Sequence, residues 1–256
     1  MCLLSFLIKA LKLFFTMIKA NTEMELMVLC GGQGTRLKNV LNGKPKILAL
    51  INNNPFISFL LKKFENEKVK KVIFCTGYKH EQVFKWVSQK YTGLINISFS
   101  KENEVLGTGG ALLNALDKIT SDNFIVINGD TLVDVDLKSI MEFHIQNNAN
   151  ATIGLFTADH EKDSYGSVTI NKNNCVTSFS EKAKKNTENM SYINAGVYVF
   201  NKNFLSNLNI LERPYSIEYE LIPNSLSQNN IYGFVDVQKF YDIGTPFRLS
   251  NASHNI

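Results

Sequence analysis

The sequence predicts an α/β fold: a Rossmann-like mixed, mainly parallel sheet flanked by helices. Three observations predict it. Through the first half, short runs rich in Val, Ile and Phe alternate with helix-length segments. Continuous apolar runs of this length suit strands buried on both faces, and strand–helix alternation suits parallel strands joined by right-handed crossovers. A glycine-rich turn follows the first such run, where open α/β sheets bind ligands. Beyond residue 150 the texture changes to closely spaced strands with few long helices, which extends the same sheet in mixed or antiparallel fashion.

In chain order, strands are expected at 25–30, 71–76, 95–99 and 124–128, with helices at 55–66, 79–90 and 109–118 between them. Further strands are expected at 151–157, 166–170, 175–179, 192–200 and 231–236. Asn171-Lys172-Asn173-Asn174 marks a hairpin turn between two of these. No internal repeat, low-complexity tract or Pro/Gly/Ser linker divides the chain, so residues 24–256 are expected to form one domain.

Residues 1–23 stand apart. The apolar stretch 1–18 is interrupted by Lys9 and Lys12, leaving runs too short to span a bilayer, and no small-residue cleavage site follows. An amphipathic surface helix is one reading. The preferred one is that translation starts at Met24, which runs straight into the first strand, so that 1–23 is a non-native extension. No membrane span is expected.

Composition narrows the function. With 45% hydrophobic and 20% charged residues in 256, the chain can bury a full core without disulfides. The net charge of +4 comes from scattered lysines, which reads as a solvated surface rather than a nucleic-acid partner. Cys2, Cys30, Cys75 and Cys175 form no CxxC pair and lack metal-ligand spacing to His, so a reduced, cytoplasmic compartment is the simplest reading. His80, His144, His160 and His254 are scattered and read as surface or helix residues rather than ligands.

The most informative segment is Leu29-Cys30-Gly31-Gly32-Gln33-Gly34-Thr35-Arg36-Leu37. Gly31, Gly32 and Gly34 let the backbone approach a phosphate, and successive N–H groups in such a turn form an anion-binding nest. Arg36 adds a guanidinium fork that matches phosphate oxygens. Two commoner loops are excluded. No Gly-Lys stands at the offset that a GxxxxGK[ST] loop needs, and Leu37 occupies the third glycine position of GxGxxG. Downstream, Gly43-Lys44-Pro45-Lys46 offers a compact charge for phosphate on a loop stiffened by Pro45, from Lys46 or, two residues away, Lys44.

Taken together, GGxGTRL and the Pro-Lys pair resemble the signature of the sugar-phosphate nucleotidyltransferases, the nucleotide-sugar pyrophosphorylases. Ile47 replaces the second proline of the usual Pro-Lys-Pro, and the segment between loop and Lys46 is short. The resemblance implies that Leu29, Gly31, Gly32, Gly34, Thr35 and Arg36 hold the nucleotide. It makes Arg36 and Lys46 its phosphate-binding pair.

Further motifs lie downstream. Leu106-Gly107-Thr108-Gly109-Gly110-Ala111 opens a helix whose N-terminal N–H groups can hold an anion or a base edge. It resembles the family's LGTAG segment and adds Gly107 and Thr108 to the nucleotide site. Upstream, Glu102 and Glu104 are acceptor-only carboxylates, which suit the paired N–H donors of guanine and so favour GTP. Asn128-Gly129-Asp130 ends a buried strand, where a carboxylate can hold Mg²⁺. It resembles the family's GD motif, which implies that Asp130 is a metal ligand and a catalytic residue. Phe240-Tyr241-Asp242-Ile243-Gly244-Thr245-Pro246 resembles DIGTP, which makes Asp242 the second metal ligand. Asp134-Val135-Asp136 is a DxD decoy, read here as loop residues, with Asp136 the N-cap of a helix over 137–147.

For the sugar phosphate, Tyr165-Gly166, Glu181-Lys182 and Asn194-Ala195-Gly196-Val197-Tyr198 resemble the family's YG, EKP and NAGIY segments. Gly166, Glu181, Lys182 and Asn194 are therefore the expected contacts. Ala183 replaces the proline after Lys182.

The resemblance spans about residues 24–250. It implies a Mg²⁺-dependent enzyme that joins a nucleoside triphosphate to a sugar 1-phosphate, with self-association left open. Among short members of the family, the sequence most resembles the D-glycero-D-manno-heptose 1-phosphate guanylyltransferases of surface-polysaccharide synthesis. A mannose or glucose 1-phosphate substrate is the nearest alternative. A DxD glycosyltransferase leaves GGxGTR unexplained, and a non-catalytic nucleotide-sugar sensor leaves the charged set Arg36, Lys46, Asp130 and Asp242 without a purpose.

Overall fold

The computed structural model describes residues 24–157, 166–180, 192–208, 213–227 and 230–256. The first half contains β1 (Glu25–Leu29), α1 (Lys38–Leu41), β2 (Leu50–Ile51), β3 (Asn54–Pro55), α2 (Phe56–Asn66), β4 (Lys71–Thr76) and α3 (His80–Lys90). It continues with β5 (Asn96–Lys101), α4 (Gly107–Asn114), β6 (Asn123–Asn128), β7 (Thr131–Asp134) and α5 (Leu137–Gln146). The second half adds β8 (Ala151–Phe156), β9 (Ser167–Ile170), β10 (Val176–Ser180), β11 (Tyr192–Asn201) and α6 (Lys202–Ser206). After these come α7 (Ile222–Ser225), β12 (Ile231–Val237), β13 (Lys239–Asp242) and α8 (Pro246–Asn255).

One nine-stranded sheet runs in the order β10-β9-β11-β6-β1-β4-β5, with β8 paired to β11 and β12. The stretch β6-β1-β4-β5 is wholly parallel. The boundary of the two halves lies at β11, which runs antiparallel to β6, β8 and β9. Helices cover both faces of the sheet. Leu26 and Val28 point into the layer that holds Leu60 and Phe64 of α2 and Val83 of α3. Met27, between them, points the other way, toward Leu112 of α4 and toward Tyr198 and Phe200 of β11. This period-two alternation inside an uninterrupted apolar run is what burial of both faces requires. The helix α2 buries Phe56, Ile57, Leu60, Leu61 and Phe64, a stripe of helical period. Each such side chain is worth roughly 1.5–3 kcal/mol.

The expected strands and helices all form, with two differences of consequence. The helix expected over 109–118 begins earlier and stops at Asn114, giving way to a separate 3₁₀ turn at Leu116–Lys118. A small sheet of β7 and β13, absent from the expectations, sets Asp242 opposite Thr131. As expected, β9 and β10 form a hairpin around Asn171–Asn174, and Asp136 caps α5 by accepting from Lys138 N at 2.8 Å and Ser139 N at 3.0 Å. Asp134 is exposed at the end of β7, while Asp136 is committed to its helix cap. His144 is buried on the inner face of α5, hydrogen-bonded to Thr152 and Asn123. Cys30, Cys75 and Cys175 are free thiols. Among the described residues, no helix is long and apolar enough to cross a membrane.

Candidate active site

The carboxyl ends of β1, β4, β5 and β6, with the first turn of α4, enclose a cleft of about 670 Å³. Parallel strands all end on the same side of the sheet, so loops distant in sequence meet there. The glycine turn after β1 forms one wall. Gly34 takes a left-handed conformation (φ 61°), and the chain then turns into a 3₁₀ helix at Thr35–Leu37 that leaves Arg36 exposed at the cleft. Leu37 is buried and anchors the turn. Gly31 lies against Glu102, whose carboxylate fills the space that a β-carbon at Gly31 would need. Burial raises the Glu102 carboxyl above its ordinary range, partly offset by the Leu106 amide. Glu104 lies at the rim, exposed, with Arg213 Nη1 at 3.7 Å.

Of the two candidate lysines, Lys46 faces the cleft and forms an ion pair with Asp130, while Lys44 is exposed on a separate small groove. Pro45 is extended and launches the short 3₁₀ turn Lys46–Leu48, which seats Ile47 and Leu48 in the core and leaves Lys46 facing the cleft. Burial pushes the Asp130 carboxyl up, but the Lys46 charge and hydrogen bond outweigh it and hold Asp130 below the usual carboxylate range. Gly244 lies close to both cations and to the Asp242 carboxylate. A β-carbon there would stand 3.4 Å from Lys46 Nζ and 3.5 Å from Arg36 Nη2.

Asp242 reaches the same place through β13, since Ile243 N donates to the Asp130 carbonyl at 2.9 Å. Its side chain accepts from the Gly244 amide and from Arg248 Nη1, the latter at 2.7 Å. Arg248 escaped the sequence reading. Its signal was its place two residues after Pro246, in the first turn of a helix capped by Thr245. Asp130 and Asp242 are the carboxylates that could hold a magnesium ion, which needs only one or two carboxylates and keeps several waters. Asp130 faces the cleft, paired with Lys46, whereas Asp242 is not among the residues lining it and its two oxygens accept from Gly244 N and Arg248 Nη1.

The second small-residue run does two jobs. Gly107 and Thr108 line the cleft. Yet the space beside Gly107 is filled by the chain's own Tyr215 backbone and that beside Gly109 by the Tyr215 ring and carbonyl, and Gly110 N donates to the Tyr215 carbonyl at 2.9 Å. The first turn of α4 is thus partly satisfied internally, and those glycines admit a neighbouring strand of chain as much as a ligand. The Thr108 hydroxyl is directed to Glu218, at 2.7 Å. Gly77 and Tyr78, which sequence reasoning passed over, complete the wall after β4.

Of the sugar-phosphate candidates, Gly166 and Asn194 lie on the β11 side. Asn194 sits where the β11 register breaks, before Gly196 in a left-handed conformation (φ 68°). Such a bulge re-aims side chains at a sheet edge. The Gly166 carbonyl accepts from Asn194 N at 3.2 Å, so these two candidates are neighbours. Neither lines the cleft just described, while Gly196 packs against Asn128, which does. Glu181, Lys182 and Tyr165 lie outside the described residues.

A family model described as nucleotidyl transferase matches residues 25–256, nearly the whole chain. The chain belongs to the nucleotidyl transferase family. Within the family it is 38% identical over 223 residues to D-glycero-alpha-D-manno-heptose 1-phosphate guanylyltransferase from Aneurinibacillus thermoaerophilus, covering 87% of this chain and 94% of that one. It is 33% identical to mannose-1-phosphate guanylyltransferase from Mycobacterium tuberculosis, over 89% of this chain and 63% of that relative. Among solved structures, HddC from Yersinia pseudotuberculosis superposes with a TM-score of 0.80 at 30% identity, covering 91% of this chain and 99% of that one. A second structure of HddC is complexed with GMP-PN. The fold expected from the sequence is therefore the fold of this nucleotidyl transferase.

Proposed function

We propose that the protein is a sugar-1-phosphate guanylyltransferase, and more narrowly that it joins GTP to D-glycero-D-manno-heptose 1-phosphate with release of pyrophosphate. The carrying observation is the near full-length likeness to the heptose 1-phosphate guanylyltransferase, in a chain whose cleft gathers Arg36, Lys46 and Asp130. Mannose 1-phosphate is the second reading, on the strength of the mannose-1-phosphate guanylyltransferase relative. A cytoplasmic location and a role in surface polysaccharide synthesis belong to the same proposal.

In this reading an oxygen of the sugar phosphate attacks the α-phosphorus of GTP. The bond to the β-phosphate oxygen breaks, and pyrophosphate leaves with the electron pair. The attacking phosphate is already ionised, so no general base is needed. Like charges must be brought together, and the protein's work is positioning and neutralisation. The end of β1 at Leu29 and the turn after it (Gly31, Gly32, Gly34 and Thr35) cradle the triphosphate. Arg36 takes the leaving pyrophosphate and Lys46 the reacting phosphates. Glu102 accepts from the guanine edge, with Gly107 and Thr108 beside the base and ribose. Gly166, Glu181, Lys182 and Asn194 hold the sugar phosphate. Asp130 and Asp242 would hold Mg²⁺, which when bound supplies charge neutralisation at the α-phosphate and the incoming phosphate.

The test is pyrophosphate release across GTP, ATP, CTP and UTP against heptose, mannose and glucose 1-phosphates. GTP with heptose 1-phosphate is expected to give the highest kcat/KM. Asp130→Ala and Arg36→Ala are each expected to lower it by about 100-fold or more. Absence of release from GTP with every sugar, or undiminished turnover in Asp130→Ala, overturns the proposal.

A further inference from the structure

A hydrogen-bonded relay leads from the nucleotide side of the cleft to the candidate sugar-binding amide, and its centre is a carboxylate that the sequence motifs do not include. Glu218 lies on a short π-helical turn, Ile217–Leu221, capped by Ser216. One of its oxygens accepts from the Thr108 hydroxyl at 2.7 Å and from the Ser216 hydroxyl at 2.8 Å. The other accepts from the Tyr198 hydroxyl at 3.0 Å. The Tyr198 oxygen in turn accepts from the Asn194 amide nitrogen at 2.8 Å, and the Asn194 carbonyl accepts from Gly196 N at 3.1 Å. Tyr198 is fully buried.

A carboxylate only accepts, so it dictates which way every hydroxyl around it points. With its proton committed to Glu218, the Tyr198 oxygen offers a lone pair to Asn194. That fixes the amide of Asn194 with its nitrogen toward Tyr198 and its oxygen toward Gly196. Asn194 is left with one N–H and one carbonyl lone pair that have no partner among the described residues. This is a donor–acceptor pair suited to vicinal hydroxyls of a sugar. An amide free to flip would present the opposite polarity half the time.

We infer that Glu218 is a positioning residue for the sugar phosphate: through Tyr198 it holds the Asn194 amide in one orientation, and through Thr108 it ties that orientation to the first turn of α4 at the nucleotide site. This rests on the guanylyltransferase reading above. It extends that reading by naming a residue that acts on the sugar half without touching it. Glu218→Gln keeps the shape and reverses one arm of the relay. The glutamine oxygen can still accept from Thr108 and Ser216, while its NH₂ group meets the Tyr198 oxygen and displaces the donor there. The sugar half should therefore loosen while the nucleotide half holds.

The experiment measures KM for heptose or mannose 1-phosphate and KM for GTP separately, with kcat and melting temperature, in the wild type, Glu218→Gln, Tyr198→Phe and the double variant. Each single variant is expected to raise the sugar-phosphate KM by about ten-fold, the scale of one lost charge-assisted hydrogen bond, and to shift the GTP KM by less than about three-fold. The double variant is expected to be no worse than Tyr198→Phe alone, because the two residues act in series. Equal rises in both KM values, no change in either, or additive losses in the double variant overturn the inference. Either single variant decides the split if the other does not fold. A wild type that releases no pyrophosphate from GTP would refute the guanylyltransferase reading itself, whereas an active wild type whose variants show no split refutes only the role of Glu218.

Discussion

Replacing Glu25 by Gln tests the physics that holds the first strand in register. Glu25 opens β1 and is 4% exposed. Its carboxylate accepts from Lys71 Nζ at 2.7 Å, from Thr120 N at 2.7 Å and Oγ1 at 2.9 Å, and from Ser121 N at 2.7 Å and Oγ at 2.8 Å. These contacts tie β1 to β4 on one side and to the segment entering β6 on the other, the three strands whose far ends build the cleft. Burial alone would raise the carboxyl, but Lys71 and the Ser121 and Thr120 donors outweigh it and lower it from 4.5 to about 2. A folded-state value below the unfolded one contributes stability that is complete above pH 4.5 and is lost as pH falls toward 2. At about 1.4 kcal/mol per unit, the shift is worth about 3 kcal/mol at pH 7 and about 1 kcal/mol at pH 3. Glu25→Gln also leaves Lys71 without its counter-charge and sets an NH₂ group among donors. The expectation is a loss of about 3 kcal/mol at pH 7, or roughly 6–12 °C in Tm for a chain of this size, shrinking to about a third of that at pH 3. Urea or thermal unfolding of both proteins at the two pH values reads it directly. An equal loss at pH 7 and pH 3 would refute the reasoning, since it would mean that the ionised carboxylate is not what stabilises β1.

Two further predictions follow from the same structure. Burial lowers the His144 imidazole from 6.5 to about 4, so the unfolded chain takes up its proton first; the wild type should lose about 3 kcal/mol as pH falls from 6.5 to 4, and His144→Gln should flatten that part of the stability profile, as measured by urea unfolding across the window. Gly31→Ala places a β-carbon where the Glu102 carboxylate now lies and 3.2 Å from Gly77 N, so Glu102 should swing away, raising the GTP KM by about ten-fold and narrowing the preference for GTP over ATP while Tm stays within a few degrees; an unchanged KM would remove Glu102 from base recognition.

Sequence alone determined the parts of this protein that are local. Strand and helix positions followed from period, because an apolar run four to six residues long has few ways to be buried. The glycine turn was legible for the same reason, since Gly31, Gly32, Gln33 and Gly34 are contiguous and their backbone freedom needs no partner to be inferred. Tertiary structure decided what depends on contact between distant segments. It selected Lys46 over Lys44, because only the former comes off its turn facing Asp130. It brought Asp242 beside Asp130 through the pairing of β13 with β7, two four-residue strands too short for a periodic signal. It gave Asp242 a partner in Arg248, and it gave the glycines of α4 a second purpose, as room for Tyr215. Glu218 was invisible beforehand for a plain physical reason: a glutamate in Ser216-Ile217-Glu218-Tyr219-Glu220 reads as a solvated helix charge. Only when the fold sets Thr108 and Tyr198 around it, 110 and 20 residues away, does its acceptor-only chemistry become the link between the two halves of the site.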